Sequence, residues 1–76
     1  MRDRVRETIA TVWGLSPVAV PPDASAETFD GWDSLRHIEL MLELELGFGV
    51  RIPAEQVPEL TSIEAIEDAL RAHGAA

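Results

Sequence analysis

A hydroxyl follows a carboxylate and a glycine in the segment Gly31-Trp32-Asp33-Ser34-Leu35, and His37 comes three residues after that hydroxyl. On a helix, residues three apart are neighbours, so a Ser34–His37 hydrolytic pair with Asp33, Glu39 or Glu43 as third member is one conceivable chemistry. It is a weak one, because activating a serine also needs an orienting group and an oxyanion hole inside a cleft. A second chemistry uses the start of a helix. Free N–H groups and the positive end of the helix dipole tolerate a phosphate there, so a covalent phosphodiester on Ser34 would be favoured, with Asp33 opposing it by like charge. The bland alternative is that Asp33-Ser34 is an ordinary capping pair.

The rest of the chain narrows the chemistry. It has 76 residues, with 6 basic against 14 acidic side chains and a formal charge of −8. Such a length fits one small domain, here residues 1–76, and no interdomain cleft. A charge of that sign cannot neutralise a run of phosphates, so nucleic acid is not an expected partner. The absence of Cys removes disulfides, zinc–thiolate sites and any thiol nucleophile of the chain's own. Two scattered His residues offer no transition-metal site, and Glu39, Glu43 and Glu45 lack a calcium-loop spacing and read as solvated surface. No apolar run approaches the roughly 20 residues that span a bilayer. The charged amino terminus has no apolar stretch behind it, so no secretory signal is read there. A free-standing, cytoplasmic, monomeric protein is expected.

The elements that must position Ser34 are helical. Val5, Ile9, Val12 and Trp13 share one face of a first helix, ended by Gly14. Leu15 to Gly31 has no helical period and contains Pro17, Pro21 and Pro22. Val18, Val20 and Phe29 are the residues expected to pin this long loop to the core. Asp33 caps a second helix that starts near Ser34 and runs to Leu46, with Gly47 and Gly49 as the break. Ala54 to Val57 can make one turn before Pro58 interrupts it. Thr61 and Glu64 match a capping box opening a last helix with Ile63, Ile66 and Leu70 as its stripe and Gly74 as its close. His73 falls in the terminus expected to fray. Val50 and Ile52 alternate too briefly for a strand. The fold expected is all-α, a small bundle of three main helices plus one short helix, with a long loop between the first and second.

The second helix carries two apolar stripes. With Arg36 at zero, Leu40, Leu44, His37 and Met41 fall between roughly 40° and 140°, and Leu35, Ile38, Leu42 and Leu46 between roughly 200° and 280°. So small a bundle buries one stripe and leaves the other partly exposed for a partner. Periodicity does not say which. His37 lies on the Leu40/Leu44 side, where a packed, half-buried imidazole is expected.

Here the sequence resembles the acyl carrier protein family, whose attachment site reads Asp-Ser-Leu before an acidic, Leu-rich helix. The matching residues are Asp33-Ser34-Leu35, Ile38-Glu39-Leu40, Leu44-Glu45, Phe48, Ile52-Pro53 and Leu60-Thr61-Ser62-Ile63. They cover about residues 29 to 70 closely, and the first helix by length and pattern only. The resemblance implies that the chain is a carrier and not an enzyme. Ser34 would take a 4′-phosphopantetheine arm from coenzyme A, installed by a magnesium-dependent phosphopantetheinyl transferase. The arm's thiol would hold an acyl group as a thioester, which suits a chain without Cys.

The same resemblance implies a docking face at Asp33, Leu35, Arg36, Glu39, Leu42 and Glu43, which selects the Leu35/Leu42 stripe as the exposed one. It implies an acyl pocket lined by Leu44, Ile52, Val57 and Leu60, although plain core packing uses the same side chains. Partners would be an acyl-loading enzyme (a ligase or acyltransferase) and a ketosynthase or other biosynthetic enzymes. Arg36 stands where fatty-acid carriers commonly have an acidic residue, and Leu46 and Gly47 replace further acidic positions. Trp32 replaces a small residue and is similar to some discrete carriers of specialised metabolism, and Asp33 favours the acyl over the peptidyl class. A rival from another class is an interaction module of the same fold that is never pantetheinylated and binds a partner through the Leu35/Leu42 stripe.

Overall fold

The computed structural model describes residues 1–74. It contains α1 (Arg2–Trp13), α2 (Ser34–Phe48) and α3 (Ile63–Ala72), a short 3₁₀ turn at Pro17–Ala19 and a 3₁₀ segment at Ala54–Glu59. Among the described residues the nearest thing to a sheet is one isolated bridge, Ser25 to Ser62. The expected bundle of three helices plus one short one is the architecture found.

Each helix end has a local cause. α1 stops at Gly14, whose φ of 73° is left-handed, and the chain closes on itself as Leu15 N–H reaches the Ala10 carbonyl at 2.8 Å. α2 begins where Asp33 caps it, as its spacing predicts. Its end differs from expectation, since the helix passes through Gly47 and finishes at Phe48. Gly47 has no left-handed φ and Gly49 does, at 66°. A mid-helix glycine costs only about 1 kcal/mol, and the two extra residues let Phe48 pack on the core beneath the Arg4 guanidinium, 4.1 Å from the ring centroid. Arg4 also donates to the Gly47 carbonyl at 2.8 Å.

Two further expectations are corrected. The 3₁₀ segment runs through Pro58 to Glu59, because the bonds closing it come from Gln56 and Leu60, and proline's missing N–H is not needed. α3 is capped by Ser62, whose Oγ accepts from Ala65 N–H at 3.1 Å, and not by Thr61. The Thr61 carbonyl is taken by Ala26 N–H at 2.8 Å, and Ile63 N–H bonds to Ala24 O at 3.1 Å. The loop therefore holds the residues before the helix in extended form and moves its start one residue on.

The core joins Val5, Ile9 and Ala10 of α1, Leu40, Met41 and Leu44 of α2, and Ile63, Ile66 and Leu70 of α3, closed by Val20, Ala24, Ile52 and Leu60. Val12, Trp13 and Phe29 pack against it half-buried. The long loop is pinned by Val20 and Phe29 as expected, but Val18 is 87% exposed. Arg6 accounts for the difference. It reaches from α1 to the Val20 carbonyl at 2.8 Å and the Pro17 carbonyl at 3.3 Å, which holds the 3₁₀ turn with Val18 outward. His73, expected to fray, is half-buried with its Nε2 2.9 Å from Gln56 Oε1.

Among the described residues one charged side chain lies in the interior. Glu67 of α3 is buried, and Arg2 Nε at the start of α1 donates to its Oε1 at 3.0 Å. That hydrogen bond holds the Glu67 carboxyl below the ordinary value of 4.5; burial opposes the shift, while the charges of Arg2 and Arg71 add to it. A carboxyl with a lowered folded-state pKa stabilises the fold above its unfolded value, and that stabilisation is lost as pH falls through the folded value. Glu67→Gln is expected to lower the neutral-pH unfolding midpoint by about 5 °C. It should also flatten the loss of stability on acidification below about pH 4.5. Thermal unfolding followed by circular dichroism across that range checks both.

Candidate functional site

Ser34 is the first residue of α2 and is exposed. The backbone before it is extended at Asp33, whose Oδ1 accepts from Arg36 N–H at 2.8 Å, while its carbonyl starts the helical ladder by accepting from His37 N–H. The amides of Ser34 and Leu35 belong to the first turn and have no intrahelical acceptor. A shallow hollow of about 190 Å³ opens beside the hydroxyl, lined by Ala26, Trp32, Asp33, Ser34, His37 and Thr61.

The turn that delivers Ser34 rests on aromatic packing. Trp13 donates its indole N–H to the Asp30 carbonyl at 3.0 Å and packs against Phe29, tilted, and Trp32, edge-on, each 5.6 Å away by ring centroids. Gly31 has φ 86°, and a Cβ there would sit 3.0 Å from Trp13 Nε1 and 3.3 Å from Arg36 Nη1. Only glycine suits both the conformation and the space. Arg36 folds back over Trp13, donates to the Gly31 carbonyl at 3.2 Å and lies 3.6 Å from Asp33 Oδ2. The parts played by Trp13 and Gly31 were not picked out from sequence. The available signal was a glycine followed by a tryptophan just before the second helix, with the chain's other tryptophan at the end of the first.

His37 is not a base for Ser34. Its Nδ1 faces the Trp32 indole N–H at 2.9 Å and its Nε2 faces the Val57 carbonyl at 2.6 Å, so both ring nitrogens are engaged away from the hydroxyl. The half-buried, packed imidazole expected from its position is what the fold contains. Among the described residues no group of three or more His, Cys, Asp or Glu is placed to hold a metal ion.

The two stripes of α2 separate cleanly. Leu40, Met41 and Leu44 face the core, whereas Leu35, Ile38, Leu42 and Leu46 are 66%, 56%, 55% and 79% exposed. Glu39 and Glu43 are exposed on the same helix and Asp33 at its cap, while Arg36 is half-buried by its contact with Trp13. Leu44, Ile52 and Leu60 are core side chains and Val57 packs on them. Glu45 is not free surface as expected, because its Oε2 accepts from Ile52 N–H at 2.8 Å and so holds the turn after α2.

Comparison with known proteins decides among the chemistries. The family model for a phosphopantetheine attachment site matches residues 3–70. The acyl carrier protein of Rubrobacter xylanophilus is 34% identical over 70 residues, covering 92% of this chain and 86% of that one. The chain belongs to the acyl carrier family. It is thus a carrier and not a catalyst, and its prosthetic group is covalent 4′-phosphopantetheine. The solution structure of holo acyl carrier protein from Geobacter metallireducens superposes with a TM-score of 0.80 at 21% identity, over 95% of this chain and 83% of that one, and shows the same fold. This carrier's own residues fit the group: the exposed Ser34 hydroxyl, first-turn amides without acceptors and an adjoining hollow would give an attachment atom, a phosphate environment and room for an arm.

The cap is the feature of the site with a measurable stability effect. Asp33→Ala is expected to destabilise the carrier by about 1 kcal/mol, the usual worth of an N-cap side chain. Urea unfolding monitored by helical ellipticity measures it, and an unchanged midpoint would contradict the capping role.

Proposed function

We propose that Ser34 is the attachment point and that the whole chain acts as one carrier domain, presenting an acyl thioester to biosynthetic enzymes that dock on α2. The observation that carries this reading is the exposed Ser34 hydroxyl at the first turn of α2, inside the Asp33-Ser34-Leu35 segment of the matched region. Ser34 Oγ would form the phosphoester bond to the pantetheine-bearing phosphate of coenzyme A, with adenosine bisphosphate and the hydroxyl proton leaving. The transferase would supply the base, since His37 is engaged elsewhere. The arm's thiol then supplies the thioester. Tethering works by raising the local concentration of cargo at each partner.

Docking in this reading uses Leu35 and Leu42, flanked by Glu39 and Glu43, with Asp33 and Arg36 at the rim beside Ser34. The partners are a phosphopantetheinyl transferase, an acyl-loading ligase or acyltransferase, and a ketosynthase or related enzyme, all met by a cytoplasmic monomer. Arg36 offsets Asp33 at 3.6 Å, and Leu46 and Gly47 add no charge at the far end of α2. A face of that composition favours partners from a polyketide or other specialised-metabolite assembly line over those of primary fatty acid synthesis. Among the described residues no helix is long and apolar enough to cross a membrane, consistent with carriage between dissolved enzymes.

Intact mass before and after incubation with coenzyme A and a broad-specificity transferase tests the attachment. One phosphopantetheinyl group mapped to Ser34, and none in Ser34→Ala, is expected. No added mass on folded protein with several transferases would leave the unmodified interaction module as the better reading. For the docking face, Leu42→Asp should lower kcat/KM for transfer by about tenfold, as loss of one central apolar contact does. Its ellipticity should stay that of the parent, because Leu42 is outside the core.

A further inference from the structure

His37 joins two elements one turn beyond Ser34. The Trp32 indole can only donate, so His37 Nδ1 accepts from it and carries no proton. The Val57 carbonyl can only accept, so His37 Nε2 carries the hydrogen and donates. The ring is therefore the neutral Nε2–H tautomer, and Trp32, packed edge-on against Trp13, keeps it from turning away. Through this chain of contacts the 3₁₀ segment Ala54–Glu59 is fastened to α2.

The fastening is at a particular place. His37 shares a helix face with Leu40, Met41 and Leu44, all of them buried. Val57 faces it from the 3₁₀ segment, and Leu60 closes the core behind. His37 and Trp32 also line the hollow that contains Ser34. A chain tethered at Ser34 that entered between α2 and the 3₁₀ segment would meet His37 before any core side chain.

We propose that His37, braced by Trp32, is the positioning residue that decides whether the acyl cargo is taken inside the protein. With the His37–Val57 bond made, the seam between α2 and the 3₁₀ segment is shut at its Ser34 end, and the cargo stays outside, open to partner enzymes and to water. This inference rests on Ser34 as the attachment point and adds what becomes of the chain attached there.

The test loads the carrier with acetyl- or octanoyl-phosphopantetheine from the corresponding acyl-coenzyme A. Peptide mass mapping at Ser34 comes first, and the rate at which hydroxylamine cleaves each thioester is then measured. In the parent, octanoyl and acetyl groups should be cleaved at similar rates. His37→Ala should slow octanoyl but not acetyl cleavage by roughly 2–10-fold, the shift that one net hydrogen bond makes in an open–closed equilibrium. His37→Gln, whose amide can still reach the Val57 carbonyl, should restore the parental rate. Trp32→Phe removes the brace without removing the ring and should act in the direction of His37→Ala, which keeps the test alive if that variant does not fold.

The proposal is overturned if the parent already protects octanoyl over acetyl, or if the opened variants protect neither. It also fails if Gln behaves like Ala, because lost packing would then explain the effect. An absent Ser34 adduct is read separately, before any cleavage is measured; it would overturn the attachment reading and take this inference with it.

Discussion

The Trp13 indole lies against Gly31 at a point where any larger residue would collide with it, and the geometry around Ser34 follows from that contact. Because the indole also holds the Asp30 carbonyl, the backbone ahead of the helix is fixed from the side of α1. Gly31 takes its left-handed turn, Asp33 arrives in extended conformation, and the carboxylate meets the Arg36 amide. Trp32, edge-on to Trp13, is then carried over to His37. A residue of α1 thus helps determine where α2 starts and how its first two turns are tied to the rest of the molecule. Preorganisation of this kind matters for a carrier, since the attachment atom must be offered in one geometry to several different enzymes.

Economy of apolar surface shapes the other side of the same helix. A chain of 76 residues has a small core, and that core is filled by one stripe of α2 with the inward faces of α1 and α3. The second stripe remains outside, flanked by Glu39 and Glu43. In a bundle without disulfides, polar ties between distant segments supplement the packing. Arg2 with Glu67 links the two ends of the chain, Arg6 straps the long loop to α1, and Glu45 secures the turn after α2. Each uses a long or charged side chain to satisfy a backbone group or a buried carboxylate that would otherwise be unpaired.

Much of this was legible from residue types and spacing. The helices, the Asp33 cap, the exposed serine and the separation of α2 into two stripes follow from local capping chemistry and a period of about 3.6 residues, neither of which needs a neighbour. Where the reading failed, a distant group intervened. Thr61 has the chemistry of a cap, but Ala26 takes its carbonyl and Ser62 caps instead. Val18 and Val20 are the same residue type two apart, and the Arg6 contacts decide which one is buried. Glu45 looks like one more surface carboxylate until Ile52 N–H comes back to it.

The sequence by itself determined a small acidic helical chain with a serine at the start of its second helix, because composition, caps and helical periodicity are properties of residues close together in the chain; the carrier reading came from its resemblance to a family. The tertiary structure alone decided which tautomer His37 holds and what fastens the 3₁₀ segment to the helix bearing Ser34, and it set the Leu35/Leu42 stripe of α2 outside, which periodicity left open and only the resemblance had selected. Those features depend on groups tens of residues apart, such as His37 and Val57 or Trp13 and Gly31, whose meeting is set by how the helices pack.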